Sequence, residues 1–318
     1  MTDLHRFTLK QLRHFLAIAE CPTIHHAATR LNLSHAALAG SLTELEEQIG
    51  LQLFIRRRAH GVALTATGAE LMAYCRAVIS AADELQAKTA GKESAYSGRL
   101  VIDCYTTLAP FLIPALIAGF RRRYPAIELE IFDGSAELIL ARLHEGRSEF
   151  ALLYDFNLTA TIESDPLYTV RPRVLLPAMH RLASKRAVDL KDLTKEPLIQ
   201  YDVAPALENM QLIFKNVGVE PRIGRRVKSV ELIRALVGRG LGYGILLQPP
   251  PGNTTYDGMQ VVIRDILRCT VSFNVVLARS RYVKPSQRSR DLRKLCLESC
   301  VIGELKSAPA SRKKRLSR

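Results

Sequence analysis

The chain has 318 residues, enough for two or three domains with separate cores, and an ordinary hydrophobic share of 47%. Its formal charge is +14, and the six cations from Lys306 onward leave +8 for residues 1–305. A basic body suits a polyanion, although a membrane surface or no specific partner is compatible with it too. With no apolar run near about 18 residues and no secretory signal, we expect a cytoplasmic protein without a membrane partner.

The first predicted elements are three short helices. Thr8-x-x-Gln11 is a capping-box pattern, and apolar residues at helical spacing follow it as far as Ala19. A second helix is predicted over 24–31, where apolar residues recur at i, i+3, i+4 and i+7. Ser34 is placed to cap a third helix. The apolar face of this third helix is Leu38, Leu42, Leu45 and Ile49.

The opposite face of the third helix carries small or polar residues that could approach a base edge closely. They are His35, Ala36, Ala39, Gly40 and Thr43. Two short helices joined by a tight turn, the second with a polar outer face, are typical of a helix-turn-helix that lays one helix in the major groove. The alternative is an amphipathic helix pair that only packs against the rest of the protein.

A basic hairpin is predicted directly after these helices. Leu53–Arg57 is expected to be extended, with a turn at 59–61 and a return over 62–64. Cations beside a recognition helix would neutralise DNA phosphates without reading sequence. The predicted DNA-contacting residues are therefore Thr23, Arg30, Ser34, His35, Ala36, Ala39, Gly40, Thr43, Arg56, Arg57 and Arg58.

This region resembles the winged helix-turn-helix of LysR-type transcriptional regulators. The residues that carry the resemblance are Ala27-Ala28, Leu31, Ser34, Ala37-Leu38, Leu45-Glu46, Gly50, Leu53-Phe54, Arg56, Leu64-Thr65 and Gly68. The chain departs from the family at His35-Ala36, where members usually carry Gln-Pro, and at Ala39-Gly40, where they usually carry Ser-Arg. The resemblance therefore implies where the recognition helix lies, and not which bases it reads.

A long helix is predicted next, capped by Thr65 or Thr67 (which forms a capping-box pattern with Glu70) and ending near Lys92. Its apolar or small positions alternate in spacings of four and three, as in a heptad seam, at Leu71, Cys75, Val78, Ala82 and Leu85. Such a seam needs a partner. A homodimer is the simplest one, the resemblance implies the same, and a homotetramer stays open. The alternative is that the helix packs on a domain of its own chain.

From Arg99 onward the pattern is that of an α/β protein, in which short apolar strands alternate with helices. The resemblance continues over about residues 7–300, notably at 97–125, 175–183 and 237–249. It implies two α/β lobes around a cleft, like those of periplasmic binding proteins, with lobe I at about 98–168 and 268–300 and lobe II at about 169–267. The whole chain is thus predicted as an all-α winged helix-turn-helix domain (1–66), a dimerisation helix (67–93), a two-lobed effector-binding domain (94–303) and a disordered basic tail (304–318).

Three segments are predicted to bind a ligand, because ligands of open α/β sheets bind beyond the carboxyl ends of strands. They are Tyr105-Thr106-Thr107, Ser135 and Gln200-Tyr201-Asp202. The resemblance implies effector contact at the same places. A small carboxylate or other anion would suit these donors, while Asp202 leaves a neutral, cationic or hydroxylated effector open. The alternative is that Thr106 and Ser135 only cap helices.

Other motifs carry little chemistry. The sequence shows no nucleophile elbow, paired catalytic carboxylates or metal-ligand spacing, so we expect neither enzymatic activity nor a cofactor. The glycines of 238–244 follow a helix and precede a strand, which favours a helix end over a nucleotide loop. The six cysteines are expected to be packing residues, with a redox sensor, best placed at Cys104, as the alternative.

These features together predict a sequence-specific DNA-binding regulator of transcription whose C-terminal domain senses a small-molecule effector in the inter-lobe cleft. Its expected partners are double-stranded operator DNA, an effector of open identity, further copies of itself and RNA polymerase. The alternatives are a two-lobed solute-binding protein or enzyme with an incidental N-terminal helical domain, and a DNA-binding protein with no effector.

Overall fold

The computed structural model describes residues 6–57, 61–89, 98–282 and 285–302. They form a helical head, one long helix and two α/β lobes, which is the fold class that the sequence predicts. The head has a hydrophobic core of its own, built around Phe15, Leu38 and Leu45. A larger cluster of buried residues fills the two lobes. The head is therefore packed as a unit distinct from the rest of the chain.

Three helices make the head: α1 (Leu9–Glu20), α2 (Ile24–Arg30) and α3 (His35–Ile49). The predicted capping box starts α1. The Thr8 hydroxyl accepts a hydrogen bond from the Gln11 N–H at 3.2 Å, and Gln11 Oε1 accepts one from the Thr8 N–H at 2.8 Å. α2 ends at Arg30, and Asn32 then adopts a left-handed conformation with φ of 54°. This turn brings α3 back against α1 and α2.

The predicted hairpin is present as β1 (Phe54–Arg57) and β2 (Gly61–Leu64), which pair antiparallel with Phe54 opposite Leu64. Gly61 starts the returning strand rather than ending the turn, and Arg58 lies outside the described residues. We call this hairpin the wing.

The long helix α4 runs over Ala66–Thr89. Thr65 caps it, because the Thr65 hydroxyl accepts a hydrogen bond from the Gly68 N–H at 2.9 Å. Thr67 lies inside the first turn, so the capping box predicted with Glu70 does not start the helix. Gly68 must be a glycine, since a Cβ there would lie 2.3 Å from the Leu53 carbonyl oxygen. This close approach packs the start of α4 against the wing.

The predicted seam of α4 divides into two parts. Cys75 is buried in the core of the head, and Leu71 packs against the same core. Further along the helix, Val78 and Leu85 are 44% and 64% exposed. The first part of the seam therefore packs within its own chain, and only the second part leaves apolar side chains at the surface.

Lobe I is a five-stranded sheet with helices packed on it. Its elements are β3 (Gly98–Tyr105), α5 (Ala109–Arg123), β4 (Ile127–Gly134), α6 (Ala136–His144), β5 (Phe150–Tyr154), β6 (Ile162–Val170), β13 (Phe273–Ser280) and α9 (Gln287–Ile302). The strand order is β4-β3-β5-β13-β6. β3 runs parallel to β4 and β5, as the predicted strand–helix unit requires. β13 pairs antiparallel with β5 and with β6, a strand that the sequence pattern did not indicate.

Lobe II contains a two-stranded parallel sheet and a four-stranded mixed sheet, so it does not repeat the sheet of lobe I. Its elements are β7 (Arg173–Pro177), β8 (Ala187–Val188), a short 3-10 helix (Leu190–Leu193), β9 (Leu198–Tyr201), α7 (Ala206–Val217), β10 (Ile223–Val227), α8 (Val230–Gly238), β11 (Gly244–Leu246) and β12 (Val261–Ile266). β9 and β10 are parallel, whereas β7 pairs antiparallel with β11 and β12. The chain enters this lobe after Val170 and returns to lobe I before Phe273.

The glycine run 238–244 lies between α8 and β11, as predicted for a helix end. Gly240 and Gly242 have φ of 75° and 145°. A Cβ at Gly242 would lie 2.1 Å from the Pro197 carbonyl oxygen, so the turn needs glycine for space as well as conformation. Each helix in the described part of the chain is too short or too polar to cross a membrane.

Candidate functional site

The solvent-facing side of α3 consists of short side chains. His35, Ala36, Gly40 and Thr43 are exposed, and Ala39 is half-buried beside them. The Thr43 hydroxyl donates a hydrogen bond to the Ala39 carbonyl at 3.1 Å, so it is directed back along the helix. Apart from its chain neighbours and the backbone of the helix itself, no described atom lies within 4 Å of the position that a Cβ would take at Gly40. The surface over Gly40 is therefore open enough for a base edge to approach the backbone.

Thr23 and Ser34 cap the starts of α2 and α3, respectively. The Thr23 hydroxyl accepts a hydrogen bond from the His26 N–H at 3.3 Å, and the Ser34 hydroxyl accepts one from the Ala37 N–H at 3.1 Å. Each hydroxyl thereby fixes the start of its own helix, α2 or α3. Their predicted contact with DNA would have to use the remaining hydrogen-bonding capacity of each hydroxyl.

Of the predicted basic residues, Arg30 has a described partner. Arg30 Nη1 lies 2.9 Å from Glu20 Oε2, and this hydrogen bond raises the pKa of Arg30 above its ordinary value. Arg56 and Arg57 occupy β1 opposite Val62 and Gly61. The wing thus carries two of the three predicted hairpin arginines next to the helical head.

One carboxylate that the sequence reasoning missed joins α3 to the wing. Glu46 Oε1 accepts hydrogen bonds from the N–H groups of Leu53 at 2.6 Å and Phe54 at 3.0 Å. A charged acceptor on backbone donors is a strong form of hydrogen bond. Glu46 therefore holds the wing at a fixed place relative to the exposed face of α3. The sequence did contain a signal for this role, because Leu45-Glu46 is among the residues that carry the family resemblance.

A cavity of about 50 Å³ lies between the two lobes. Lobe I contributes Tyr105, Thr107 and Tyr154, and lobe II contributes Tyr201, Ala206, Asn209, Met210, Ile213, Val230, Ile245, Leu246, Leu247 and Gln248. Three of these residues are tyrosines that end strands, namely β3, β5 and β9. The cavity is thus built at the carboxyl ends of strands, where an open α/β sheet is expected to bind its ligand. We call it the inter-lobe cavity.

The predicted effector residues divide between the inter-lobe cavity and its surroundings. Tyr105, Thr107 and Tyr201 line it. Thr106, Ser135, Gln200 and Asp202 are not in its lining. Ser135 caps α6 by accepting a hydrogen bond from the Leu138 N–H at 3.4 Å, as in the alternative interpretation. Gln200 precedes Tyr201 on β9 and borders a different groove, beneath α7.

The sequence reasoning missed three polar residues of the lining: Tyr154, Asn209 and Gln248. Tyr154 ends a strand that the sequence did predict, so the same strand-end rule could have found it. Asn209 lies on a helix, and Gln248 follows a strand of the mixed sheet. Their approach to lobe I depends on how the two lobes are placed against each other.

The tyrosines of the inter-lobe cavity are neutral hydrogen-bonding groups. The rings of Tyr105 and Tyr154 meet edge to face, with centroids 5.8 Å apart. Burial raises the pKa of both hydroxyls far above the ordinary value, although a hydrogen bond with Thr107 opposes this at Tyr154. Burial also raises the pKa of Tyr201. All three hydroxyls therefore stay protonated near neutral pH.

Arg76 of α4 connects the head with lobe I. Its Nη1 donates to the Glu145 carbonyl oxygen at 2.7 Å, and its Nη2 donates to Glu20 Oε1 at 2.8 Å. Glu20 also holds Arg30, so one chain of contacts runs from lobe I through α4 to α1 and α2. Burial lowers the pKa of Arg76, and Glu20 opposes this shift.

Three of the five described cysteines, Cys75, Cys104 and Cys296, are buried and pack in the protein core. Cys104 is fully buried, and burial raises its pKa far above the ordinary value. Burial also raises the pKa of Cys75 to about 11. Such thiols are poor nucleophiles because the thiolate is the reactive form. In the residues that the structure describes, no group of three His, Cys, Asp or Glu side chains could hold a metal ion.

Comparison with known proteins agrees with both halves of this description. The family model for the bacterial regulatory helix-turn-helix proteins of the lysR family matches residues 9–69, and the LysR substrate binding domain matches residues 93–301. The chain belongs to the LysR family. It is therefore a DNA-binding transcriptional regulator with an effector-binding domain, which confirms the predicted function. The alternative in which the N-terminal head is incidental is set aside.

Individual relatives resemble most of this LysR regulator. A probable hydrogen peroxide-inducible genes activator of Mycobacterium avium is 32% identical over 243 residues, which are 76% of this chain and 78% of that protein. HinK, a LysR family transcriptional regulator from Pseudomonas aeruginosa, is 33% identical with a TM-score of 0.63, covering 92% of this chain and 98% of HinK. A full-length OxyR variant from Pseudomonas aeruginosa has a TM-score of 0.73 at 21% identity, covering 92% and 98%, which supports the fold.

Proposed function

We propose that α3 of this regulator lies in the major groove of its operator, while the arginines of the wing contact phosphates. The observation that carries this proposal is the open, exposed face of α3 formed by His35, Ala36, Gly40 and Thr43. The head holds this face rigidly, because Ser34 fixes the start of α3 and Glu46 ties the helix to the wing. Short side chains on the face allow close contact with base edges.

Two copies would pair through the exposed part of the α4 seam. Val78 and Leu85 are apolar and exposed in the single chain, and a second copy would bury them. A dimer of this kind presents two recognition helices to half-sites about 34 Å apart, or at multiples of that spacing. A homotetramer and contact with RNA polymerase belong to the same proposal. A protein that stays monomeric at micromolar concentration would contradict it.

The inter-lobe cavity is the proposed effector site, and the lobes bind rather than catalyse. A ligand that favours one arrangement of the lobes would shift the protein between two states of different operator affinity. Arg76 offers a physical connection, because it bonds lobe I and the head at once. We expect Arg76→Met to weaken the effect of effector on operator binding while leaving the inter-lobe cavity intact.

The test of the DNA-binding proposal is a charge placed on the recognition face. Operator fragments would first be selected from the source genome with the full-length protein. Ala36→Glu, in the exposed first turn of α3, should then lower operator affinity at least about tenfold, because a carboxylate would face the phosphates. Ala160→Glu, an exposed alanine of lobe I, is the matched control and should bind normally. Equal binding by both variants would refute the proposed orientation of α3.

A peroxide response is a second candidate, suggested by the name of the Mycobacterium avium relative. It would need a thiol that can ionise and react. Cys75 and Cys104 do not meet this condition, because burial raises the pKa of each thiol. Cys21, which is half-buried in the head and hydrogen-bonds Arg30, is the thiol to test. Peroxide treatment followed by operator binding tests this candidate. It gains support only if peroxide changes binding and Cys21→Ser prevents the change.

A further inference from the structure

The walls of the inter-lobe cavity contain no charged side chain among the thirteen residues that line it. Glu208 acts electrostatically on the Tyr105 hydroxyl, but it is exposed on α7 and lies outside the lining. A ligand with a net charge would therefore lose its hydration without gaining a counter-ion in the wall. Burying an unpaired ion is far more costly than burying a neutral polar group that finds hydrogen bonds.

Three residues of this lining each carry a buried polar atom that has no hydrogen-bond partner among the described residues. The atoms are the Tyr105 hydroxyl, Asn209 Oδ1 and Gln248 Nε2. Their side chains belong to residues that are only 3%, 3% and 6% exposed, so bulk water does not compensate them. Buried polar groups of folded proteins are almost always paired, and leaving one unpaired is costly. Three such atoms in the lining residues of one cavity indicate a ligand that pairs with them.

The hydrogen-bonding character of the three atoms can be assigned. The Tyr168 hydroxyl donates to Gln248 Oε1 at 2.9 Å, which fixes the orientation of the Gln248 amide. Gln248 Nε2 is then an unpaired donor. The Tyr105 hydroxyl is a second free donor, and its ring is held edge to face against Tyr154. Asn209 Oδ1 is a free acceptor. The lining residues therefore hold two unpaired donors and one unpaired acceptor that a ligand could satisfy.

The rest of the lining sets the shape and size of the ligand. Met210, Ile213, Val230 and Ile245 add apolar walls, and the tyrosines add ring surfaces. The cavity is small, with a volume of about 50 Å³. Only a few non-hydrogen atoms fit in this arrangement, and a larger ligand must enter with the lobes moved apart.

We propose that the effector of this regulator is a small uncharged molecule, with hydrogen-bond acceptors and a donor on an apolar or flat body, and not a carboxylate or other anion. This inference rests on the proposed function, because it assigns the ligand class of the inter-lobe cavity. It selects among the chemistries that the sequence left open, since the hydroxyls of Thr106 and Ser135, which suited an anion, lie outside the lining.

The experiment compares matched neutral and anionic probes on the full-length protein. Acetamide and acetate, benzamide and benzoate, and nicotinamide and nicotinate are titrated at millimolar concentration and followed by ligand-observed NMR. Each titration is repeated with Tyr105→Phe, which removes a lining donor. The matched control is Tyr243→Phe, because the Tyr243 hydroxyl is also buried and without a described partner but is not on the lining. Neither change removes a described hydrogen bond, so both variants should fold as well as the parent protein.

At least one amide should bind at least about tenfold more tightly than its carboxylate, and Tyr105→Phe should weaken it by about tenfold. Tyr243→Phe should bind it normally. Carboxylate binding as tight as amide binding, weakened by Tyr105→Phe, would overturn the neutral-ligand inference while supporting the inter-lobe site. Probe binding that is absent, or that Tyr105→Phe does not change, would overturn the inference and count against that site. Operator binding, measured on the same samples, separates both outcomes from a failure of the DNA-binding proposal.

Discussion

The recognition face of α3 and the inter-lobe cavity are built in opposite ways. The face is formed by residues within a single helix, on its exposed side, and neighbouring bonds such as the Ser34 cap hold it. The cavity combines residues as distant in sequence as Tyr105 and Gln248, and most of its lining is buried. A local site depends mainly on one helix and its supports. A composite site depends on every element that sets the distance between the lobes.

The first prediction concerns the buried ion pair of lobe I. Arg142 lies 2.8 Å and 3.1 Å from the two carboxylate oxygens of Asp103, which is fully buried and also accepts a hydrogen bond from Ser148 at 2.8 Å. Arg142→Met should lower the free energy of unfolding of the lobes by about 3–5 kcal/mol, because it strands the Asp103 charge. Chemical denaturation followed by circular dichroism would measure this loss of stability. Under conditions in which the variant is folded, the head should still bind the operator.

The pH dependence of the stability loss is a second test of Arg142→Met. Burial already raises the pKa of Asp103 in the folded protein, against the opposing hydrogen bond of Arg142. Without Arg142 the folded-state pKa of Asp103 should rise further. The loss of stability should therefore be smallest at acid pH, grow as the pH rises above the folded-state pKa of the parent protein, and level off above that of the variant. Arg147→Met is the control, since its pair with Glu145 is partly exposed and worth at most about 1 kcal/mol. Equal losses in both variants would contradict the assignment.

The second prediction concerns the core beneath the recognition face. Leu38 is fully buried in the head, so Leu38→Ala should cost about 3 kcal/mol through lost burial and the cavity left behind. Operator affinity should fall, while probe binding in the inter-lobe cavity should not change. Leu51→Ala, at a leucine that is 44% exposed, should cost less than about 1 kcal/mol. If Leu38→Ala also abolished probe binding, the head and lobes would be far more tightly coupled than their separate cores indicate.

The third prediction concerns the attachment of the wing. Glu46→Ala removes the acceptor of two backbone N–H groups and should destabilise the head by about 2 kcal/mol. It should also weaken operator binding, because the wing loses its fixed place beside α3. Glu47→Ala, at the exposed neighbouring position, should change stability by less than about 0.5 kcal/mol. Thermal unfolding and gel retardation on the same samples would show whether the two losses occur together.

The smallest predicted effect separates stability from function within α3. Gly40→Ala adds a methyl group in open space on an exposed helix, and should stabilise the head by about 0.5–1 kcal/mol through helix propensity. If a base edge approaches this position, the same methyl group should lower operator affinity. Thermal unfolding and operator titration would decide, and unchanged operator affinity would place Gly40 outside the contact.

The sequence by itself determined the local parts of this protein. Helical spacing and capping residues fixed α1, α2 and α3, and the helix-turn-helix followed, because a helix depends on residues within a few positions of each other. The strand-end rule predicted Tyr105, Thr107 and Tyr201, which line the inter-lobe cavity, because the end of a strand is also a local feature. The wing, α4 and the central strands of lobe I also followed from local patterns and from the family resemblance.

Tertiary structure decided what depends on distant partners. The antiparallel strands β6 and β12, the division of the α4 seam between the head and the surface, and the link through Arg76 all depend on which surfaces meet. The same holds for Asn209 and Gln248, which become binding candidates only because α7 and the segment after β11 are brought against lobe I. Whether a polar side chain is solvated, satisfied or left unpaired is a property of its surroundings, and the periodicity of the chain does not contain it.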